Sequence, residues 1–258
     1  MEVPVKYDRE LLLLGKKRNE VLDLHEVQQY GLDSYDDADY VSLYGFAPAD
    51  WFARGIRVLG RTAVECTRDR LATAIATDVA CTAAGAQAGS HLVIDPFAGS
   101  GNTLYWLLRH LPGAVGVAFE NDGSVFRLTS SNMALLGLPI RVLDIDFEHG
   151  LEHIVAAQDQ LVVAFIAPPW GRALDPESGL DLSRTEPPVE TIVDRLVSHF
   201  QRAKLLCVVQ VHECVKPAPL AKLALRFDWT GSKTYGFNRA GQNHGIFLGS
   251  KRWKPTQA

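Results

Sequence analysis

Short apolar runs rich in β-branched residues alternate with segments of helical pattern from residue 91 to residue 211, and this alternation constrains the fold most. Five runs predict strands, at residues 91–95, 115–119, 140–143, 161–166 and 205–211. Helical patterns fall at residues 67–84, 104–111, 124–136 and 189–203. Strands that alternate with helices form a mostly parallel sheet covered by helices on both faces. The chain is therefore expected to have an α/β fold with a Rossmann-like sheet.

The N-terminal segment departs from this alternation. Residues 1–60 show no regular pattern, and we interpret them as an irregular extension to a main domain at residues 61–258. The extension is too aromatic to be disordered, because disordered segments are depleted in such residues. We expect it to pack on the main domain, either as a cover for the core or as a wall or lid of the pocket. Its aromatic residues are Tyr30, Tyr35, Tyr40, Tyr44, Phe46, Trp51 and Phe52.

The C-terminal segment also differs. Residues 223–229 and 244–250 flank a polar turn region at 230–243, and they predict an antiparallel strand pair at the end of the sheet. Side chains of this connection are expected to overhang the pocket. His244 is a candidate base, although a lone histidine is usually structural. The long polar segment 171–186 is interpreted as a lid or as a solvated loop. The connection contains Tyr235, Phe237, Asn238, Asn243 and His244.

A glycine-rich turn follows the first predicted strand, which ends in Asp95. In open α/β sheets, ligands bind at the carboxyl ends of the strands, and a glycine turn lets the backbone approach them closely. Gly99 and Gly101 suit that role, but Leu104 stands where a dinucleotide fingerprint has its third glycine. An NAD site is therefore disfavoured. Glu120, at the end of the second strand, can accept hydrogen bonds from both ribose hydroxyls, which indicates a nucleoside without choosing between cofactors.

A second motif, Ala167-Pro168-Pro169-Trp170-Gly171, follows the fully apolar strand at 161–166. It is expected at the same edge of the sheet as the glycine turn. The prolines fix φ and leave backbone carbonyls free to accept hydrogen bonds. A planar amine could donate to these carbonyls and stack on Trp170, and such stacking is worth about 1–3 kcal/mol. A structural role as a rigid strand exit is the alternative for this motif.

In this order along the chain, the two motifs resemble those of class I methyltransferases that use S-adenosylmethionine (SAM). The resemblance is greatest to the amino-directed branch, and within it to the RNA cap guanine-N2 (trimethylguanosine synthase-like) methyltransferases, whose fourth motif reads Ser-Pro-Pro-Trp-Gly. It covers residues 62–212 and implies a SAM-binding enzyme. The residues that it assigns to the cofactor are Asp95, Phe97, Ala98, Gly99, Gly101, Asn102, Thr103, Glu120, Asn121, Asp146, Phe147 and Ala167, and those that it assigns to catalysis are Pro168, Pro169 and Trp170.

The resemblance also implies individual roles. Asp95 and the turn after it would hold the methionine end of SAM, and Glu120 the ribose. Asp146 would accept from the adenine amino group, with Phe147 beside the ring, but Asp144 is a competitor two residues away. Thr67 falls where the cap-methylating relatives have a Thr-Pro-Glu segment that lines the cofactor pocket. Arg68 replaces the proline there, which weakens that comparison.

One departure from the family concerns Ala167. Amino-methyltransferases of DNA and protein have Asp or Asn before the two prolines, and the cap methyltransferases have Ser. Alanine offers no side-chain acceptor. Either backbone carbonyls alone hold the amine, or the target is a ring nitrogen or another nucleophile. A non-enzymatic protein with this fold is also compatible with the substitution.

The charge of the chain bears on its partners. The formal net charge is −4 and the pI about 6.1, whereas a dedicated nucleic-acid binder usually has a basic face. This favours a heterocyclic metabolite as the acceptor, while Pro-Pro-Trp-Gly favours RNA, and both stay open. The locally basic C-terminal quarter is either a nucleic-acid patch or an ordinary solvated surface. Its members are Lys216, Lys222, Arg226, Lys233, Arg239, Lys251, Arg252 and Lys254.

Cysteine spacing and hydropathy add two expectations. The four cysteines include no C-x-x-C pair, and His212 with Cys214 has no second ligand pair, so no metal site is expected. No apolar run approaches the ~20 residues that a membrane span requires, and no signal-peptide pattern is visible. We therefore expect a cytoplasmic protein.

Overall fold

The N-terminal part of the chain is helical, which corrects the expectation of irregular structure. The computed structural model describes residues 6–175, 177–237 and 243–255. Helix α1 begins at a capping box, in which Asp23 accepts from the backbone N–H of Glu26 and Glu26 accepts from that of Asp23. The elements before the sheet are a π-helix at Glu10–Leu14, α1 at Leu24–Tyr35, α2 at Pro48–Ala53, α3 at Gly60–Glu65 and α4 at Asp69–Ala84.

Strands and helices then alternate as the apolar pattern indicated. The first half comprises β1 at His91–Asp95, α5 at Asn102–His110, β2 at Val115–Glu120, α6 at Gly123–Leu136, β3 at Ile140–Asp144, α7 at Phe147–Leu151 and β4 at Leu161–Ile166. The second half comprises a 3₁₀ turn at Gly171–Ala173, β5 at Leu174–Asp175, β6 at Gly179–Leu180, α8 at Val189–His199, β7 at Lys204–His212, α9 at Pro217–Ala224, β8 at Trp229–Tyr235 and β9 at His244–Lys251.

The main sheet has seven strands in the order β3-β2-β1-β4-β7-β9-β8. Strands β3, β2, β1, β4 and β7 pair in parallel, and β9 pairs antiparallel with both β7 and β8. The predicted Rossmann-like, mostly parallel sheet with an antiparallel pair at its C-terminal end is thereby confirmed.

The first strand of that pair was wrongly placed at residues 223–229. Leu223 is the buried member of helix α9, which begins at Pro217 and ends at Ala224. A turn follows in which Leu225 is 83% exposed. The strand itself runs over Trp229–Tyr235, so all but its first residue lies in the segment expected to be a polar turn. Proline at the first helical position is favoured, and it starts α9 here.

Two apolar layers enclose the sheet. Strand β7 shows the alternation, since Leu205, Cys207 and Val209 face one layer, whereas Leu206 and Val208 face the other. Helices α7 and α8 cover the first layer, and α4 and α5 cover the second. A third cluster holds the N-terminal helices together, with Tyr30, Tyr44 and Trp51 fully buried, and it includes Met133 of α6. The N-terminal segment is thus packed on the helix that follows β2.

Segment 171–186 is anchored to the sheet layer. Leu180 and Leu182 are buried in the first apolar layer, and Thr185 is 2% exposed. The backbone N–H of Leu180 donates to Cys214, and that of Lys216 donates to Leu180. The expectation of a solvated loop is therefore wrong for the buried part of the segment.

Among the described helices, none has the length and apolar character needed to cross a bilayer.

Candidate active site

A cleft of about 1970 Å³ opens at the carboxyl ends of the parallel strands. It lies where β1 is flanked by β2 on one side and β4 on the other, which is the switch point at which open α/β sheets bind ligands. A site for a single small ligand is typically about 300–1,000 Å³. The cleft is large enough for two molecules side by side.

The glycine turn forms one side of the cleft. Gly99 and Gly101 have φ values of +50° and +73°, in the left-handed region that favours glycine. Gly101 precedes α5 and lies behind the turn against Met133 and Thr129, where an added Cβ would come 3.2 Å from Met133 Cε. It is the one predicted site residue outside the described cleft lining. The other predicted residues of the turn line the cleft: Asp95, Phe97, Ala98, Gly99, Asn102 and Thr103.

Two carboxyl groups stand beside this turn. Asp95 ends β1, is 2% exposed, and accepts from the backbone N–H of Phe97 at 3.0 Å. Its burial raises the pKa to about 8, and the nearby Glu120 also raises it. Glu120 ends β2 and accepts from the backbone N–H of Gly99 at 3.1 Å and of Asp122 at 2.9 Å. Burial raises the pKa of Glu120 as well. Among the described residues, only backbone N–H groups donate hydrogen bonds to these two carboxyl groups, and no cationic side chain does.

The turn into α7 after β3 contributes Asp146 and Phe147 to the cleft lining, and Asn121 follows β2 into the same region. Asp146 caps α7 by accepting from the backbone N–H of His149, and it also bonds the His149 ring at 2.6 Å. These hydrogen bonds hold the pKa of Asp146 below its usual range. Asp144 is the last residue of β3 and is not part of the cleft lining. Of the two competing acids, Asp146 is the one that faces the cleft.

The Ala167-Pro168-Pro169-Trp170 loop forms the opposite side of the cleft, and all four residues line it. Trp170 does not stand alone. The imidazole of His244 stacks on its indole, with ring centroids 5.0 Å apart and planes 27° apart. His212 meets the indole edge-on, at 6.0 Å and 89°. A planar ligand is therefore left with the indole surface that these two histidines do not cover.

Hydrogen bonds connect the two sides of the cleft. Asn102 Nδ2 donates to the carbonyl of Thr67 at 2.7 Å, and Thr67 Oγ1 donates to Gln210 Oε1 at 3.1 Å. Gln210 Nε2 in turn lies 3.0 Å from His244 Nδ1. Gln210 was missed by the sequence analysis. The signal was present, since Gln210 and His212 are polar residues at the carboxyl end of an otherwise apolar strand.

The N-terminal segment provides a further wall. Tyr35 and Tyr40 stack with ring centroids 3.4 Å apart, and the Arg68 guanidinium lies 3.5 Å from the Tyr40 ring centroid. The Arg70 guanidinium lies 4.4 Å from the ring of Phe237. All five residues line the cleft. Asn238, also considered at the sequence level, lies outside the described residues.

The cleft is more acidic than basic. Among the described residues that line it, Asp and Glu outnumber Lys and Arg by eleven to six. The C-terminal basic residues do not offset this, because the described ones lie outside the lining and five of them pair with carboxylates. The paired residues are Lys216, Lys222, Arg226, Lys233 and Lys251. Arg239 lies outside the described residues.

The described part of the chain contains no group of three or more side chains arranged to hold a metal ion. His212 Nδ1 accepts from the backbone N–H of Cys214 at 3.2 Å, so these two residues interact locally. Burial raises the pKa of the Cys66 thiol to about 12.

The fold places the chain in a structural class. Its seven-stranded sheet, parallel except at the C-terminal end, matches the Rossmann-like fold that a solved class I methyltransferase structure also has. No protein-family model matches the sequence, and no similar protein was found among curated ones. The likeness is therefore one of structure.

Three solved structures with some similarity to this chain are as follows. One is a Listeria monocytogenes protein assigned to the class I SAM-dependent methyltransferases, with a TM-score of 0.51 and 14% identity over 74% of this chain and 63% of that one. An rRNA methylase from Streptococcus thermophilus has a TM-score of 0.43 and 14% identity, over 74% of this chain and 99% of that one. A precorrin-6y C5,15-methyltransferase from Geobacter metallireducens has a TM-score of 0.48 and 12% identity, over 74% and 90%. The Listeria structure, with its TM-score of 0.51, shows at 14% identity the fold alone.

Proposed function

We propose that this chain is a SAM-dependent methyltransferase that methylates a nitrogen atom of a planar, nucleobase-like heterocycle. One observation carries the proposal: the glycine turn with its buried acids and the Ala167-Pro168-Pro169-Trp170 loop line opposite sides of one cleft. A methyl transfer needs a donor and an acceptor held in line, and orientation alone can contribute about 7–11 kcal/mol of barrier reduction. The cleft volume accommodates both molecules.

The residues on the glycine side suit SAM chemically. Asp95 is buried with its pKa raised to about 8, so a cationic ligand group beside it would be stabilised by the ionised carboxylate. Glu120 retains lone pairs beyond those used by the backbone N–H groups and can accept from ribose hydroxyls. Asp146 and Phe147 are candidates for the adenine end. SAM supplies an electrophilic methyl group when it is bound, and the chain's residues position the acceptor against it.

On the acceptor side, the carbonyls of the Pro-Pro loop would take hydrogen bonds from the target, and Trp170 would pack against its ring. Ala167 offers no side-chain acceptor, so the attacking nitrogen is positioned by backbone groups and stacking. Such a site needs no side-chain base, because an amine or ring nitrogen attacks through its lone pair and loses any extra proton to water afterwards.

The charge of the cleft favours a neutral or cationic small molecule over RNA as the acceptor. A polyanion approaching this cleft would meet an excess of carboxylates, and phosphate contacts normally supply most of the affinity for nucleic acid. RNA remains the second candidate, because the Pro-Pro-Trp-Gly sequence resembles that of RNA cap methyltransferases. A trimethylguanosine synthase-like activity would require basic side chains to contact the RNA phosphates. Among the charged residues of the described lining, Lys and Arg are the minority.

The test is methyl transfer from labelled SAM into two acceptor pools side by side, total RNA and a small-molecule extract of the same cells. The Asp95→Asn variant serves as the comparison. We expect label in the small-molecule fraction with the unaltered chain only. Label in RNA that survives protease but not ribonuclease would establish the RNA alternative.

Other outcomes would overturn the proposal. Binding of NAD but not SAM would indicate a nucleotide-binding oxidoreductase. SAM binding without transfer to either pool would indicate a non-enzymatic protein with this fold.

A further inference from the structure

The side chain of Gln210 bridges Thr67 and His244 inside the cleft. It is 6% exposed, and its two polar atoms are used differently: Oε1 accepts from the Thr67 hydroxyl, and Nε2 lies 3.0 Å from His244 Nδ1. An amide nitrogen donates hydrogen bonds and cannot accept them. In this arrangement the Nδ1 atom of His244 is the acceptor.

The state of the other ring nitrogen follows. A neutral imidazole has one protonated and one unprotonated nitrogen. If Nδ1 accepts from Gln210, the proton is on Nε2. Burial lowers the pKa of His244 to about 4, and the nearby His212 and Arg68 also lower it, whereas Glu213 raises it. The ring is therefore neutral at physiological pH.

The Nε2 atom of His244 is not used by the contact with Gln210. His244 lines the cleft, and among the described residues its Nε2 has no protein hydrogen-bond partner. In the described part of the chain, only Arg61 Nε and Arg252 Nη2 are side-chain atoms that are both fully buried and without a hydrogen-bond partner. An unpartnered Nε2 of His244 therefore has some exposed surface. The Nε2–H group is therefore accessible to a ligand, and it belongs to the ring stacked on Trp170.

We propose that Gln210 is a positioning residue that holds His244 as the Nε2–H tautomer, so that the wall beside Trp170 presents a hydrogen-bond donor and selects planar ligands that have an acceptor atom. The acceptor is a carbonyl oxygen or a pyridine-type ring nitrogen at the edge of the ligand ring. This inference rests on the proposed function in one respect, namely that a planar ligand occupies the aromatic side of the cleft.

The tautomer is tested first, in the 258-residue chain without any ligand. Nitrogen-15 NMR of the histidine rings distinguishes protonated from unprotonated ring nitrogens, and the His244→Phe variant identifies the signals of His244. We expect Nδ1 unprotonated and Nε2 protonated. Protonation on Nδ1 would overturn the proposal, whether or not the chain is a methyltransferase.

The role of Gln210 is tested by two variants. In Gln210→Glu, the carboxylate can only accept, so it should draw the proton to Nδ1 and exchange the two nitrogen signals. Gln210→Leu should leave a mixture of tautomers. If Gln210 only filled space, Gln210→Glu would not exchange the Nδ1 and Nε2 signals of His244. Unchanged nitrogen signals in a folded Gln210→Glu protein would contradict the proposal.

Ligand selection is tested with 5-aminoquinoline and 1-aminonaphthalene, which share shape and amine but differ in one ring nitrogen. We expect the aminoquinoline to bind roughly three- to tenfold more tightly, the value of one neutral hydrogen bond. The preference should disappear in His244→Phe, which keeps an aromatic ring next to Trp170 but has no donor. Equal binding of both compounds to the unaltered chain would overturn donor selection. Binding of neither would count against the proposed planar-ligand site, and the NMR result would stand separately.

Discussion

The side-chain amide of Asn102 donates to the backbone carbonyl of Thr67 over 2.7 Å, across 35 residues of sequence. Asn102 is 1% exposed and also accepts from the backbone N–H of Tyr44 at 2.7 Å. One buried side chain thus joins the helix after the glycine turn, the segment before α4 and the N-terminal extension. The Thr67 hydroxyl in turn donates to Gln210 Oε1, so the same hydrogen-bond network reaches the aromatic side of the cleft.

We expect Glu120→Ala to weaken SAM binding by about tenfold or more, because a charge-assisted hydrogen bond is worth roughly 1.5–3 kcal/mol. Isothermal titration calorimetry measures this directly. Glu152→Ala, an exposed carboxylate outside the cleft lining, is the matched control and should leave the affinity unchanged. An unchanged affinity in Glu120→Ala would remove Glu120 from the cofactor site.

SAM affinity should depend on the ionisation of Asp95. The folded-state pKa of about 8 lies above the ordinary value of 3.8, so the folded chain holds a proton that the unfolded chain releases. Asp95 therefore contributes most to stability below about pH 4, and this contribution falls as the pH rises to about 8.

A cationic ligand favours the ionised form, so SAM binding should release a proton near neutral pH and strengthen by up to about tenfold per pH unit until pH 8. Calorimetry in buffers of different ionisation enthalpy detects the released proton. Asp95→Asn should bind more weakly, with a flatter pH dependence. Binding without proton release would show that Asp95 does not face the cation.

Gly101→Ala should destabilise the chain more than Gly113→Ala. Both glycines have left-handed φ values, +73° and +76°, so both substitutions have the same backbone cost of about 1–2 kcal/mol. Only at Gly101 would the new Cβ press on Met133 and Thr129, whereas nothing lies within 4 Å at Gly113. Thermal and denaturant unfolding measure the difference, and SAM affinity should fall in Gly101→Ala alone. Equal losses of stability would mean that Met133 moves aside without cost.

Trp170→Ala should lower the methyl-transfer rate by about 5- to 150-fold while SAM binding stays within about twofold, because Trp170 is proposed to lie on the acceptor side of the cleft. Trp170→Phe keeps a stacking face and should retain part of the activity, since stacking on an aromatic is worth about 1–3 kcal/mol. Steady-state transfer rates and calorimetry separate the two effects. Loss of SAM binding in Trp170→Ala would place Trp170 in the cofactor site instead.

Neither Ala167→Asn nor Ala167→Asp should raise the methyl-transfer rate. If backbone carbonyls and stacking already position the nitrogen, an added side-chain acceptor would not improve its position, and it would crowd a half-buried site. Rates with the acceptor found in the labelling experiment provide the check. A large gain in either variant would show that a side-chain acceptor for the amine was the missing element.

The sequence predicts the parallel sheet well because its strands are short apolar runs, of which β1, β2, β4 and β7 are largely buried and β3, at the edge, is only partly buried. It fails at residues 223–229, where Leu223, Leu225, Phe227 and Trp229 alternate with other residues as in a strand. Tertiary packing overrides that alternation, since Pro217 starts a helix that buries Leu223 and leaves Leu225 exposed. Helix α1 was missed although Asp23 and Glu26 have capping-box spacing, and α2 and α3 have only six residues each, too few to show a helical period.

The glycine-side residues of the candidate site were predictable because they are adjacent in sequence or follow consecutive strands. Gln210 and His244 were not paired in advance, since they meet through the antiparallel register of β7 and β9, which opposes His212 to His244. Such a register depends on contacts between distant segments and has no local signature. The stacking of His244 on Trp170 follows from the same pairing.

The two sides of the cleft are formed by different stretches of the chain, and they are also apart in the sheet. Strands β1 to β3 and the glycine turn come from one continuous stretch, whereas Gln210 of β7 and His244 of β9 belong to later strands on the far side of β4. Under the proposed function, substitutions in the later stretch would change which acceptor binds, while the earlier stretch would go on binding the methyl donor. Substrate preference and cofactor binding would then be able to evolve separately.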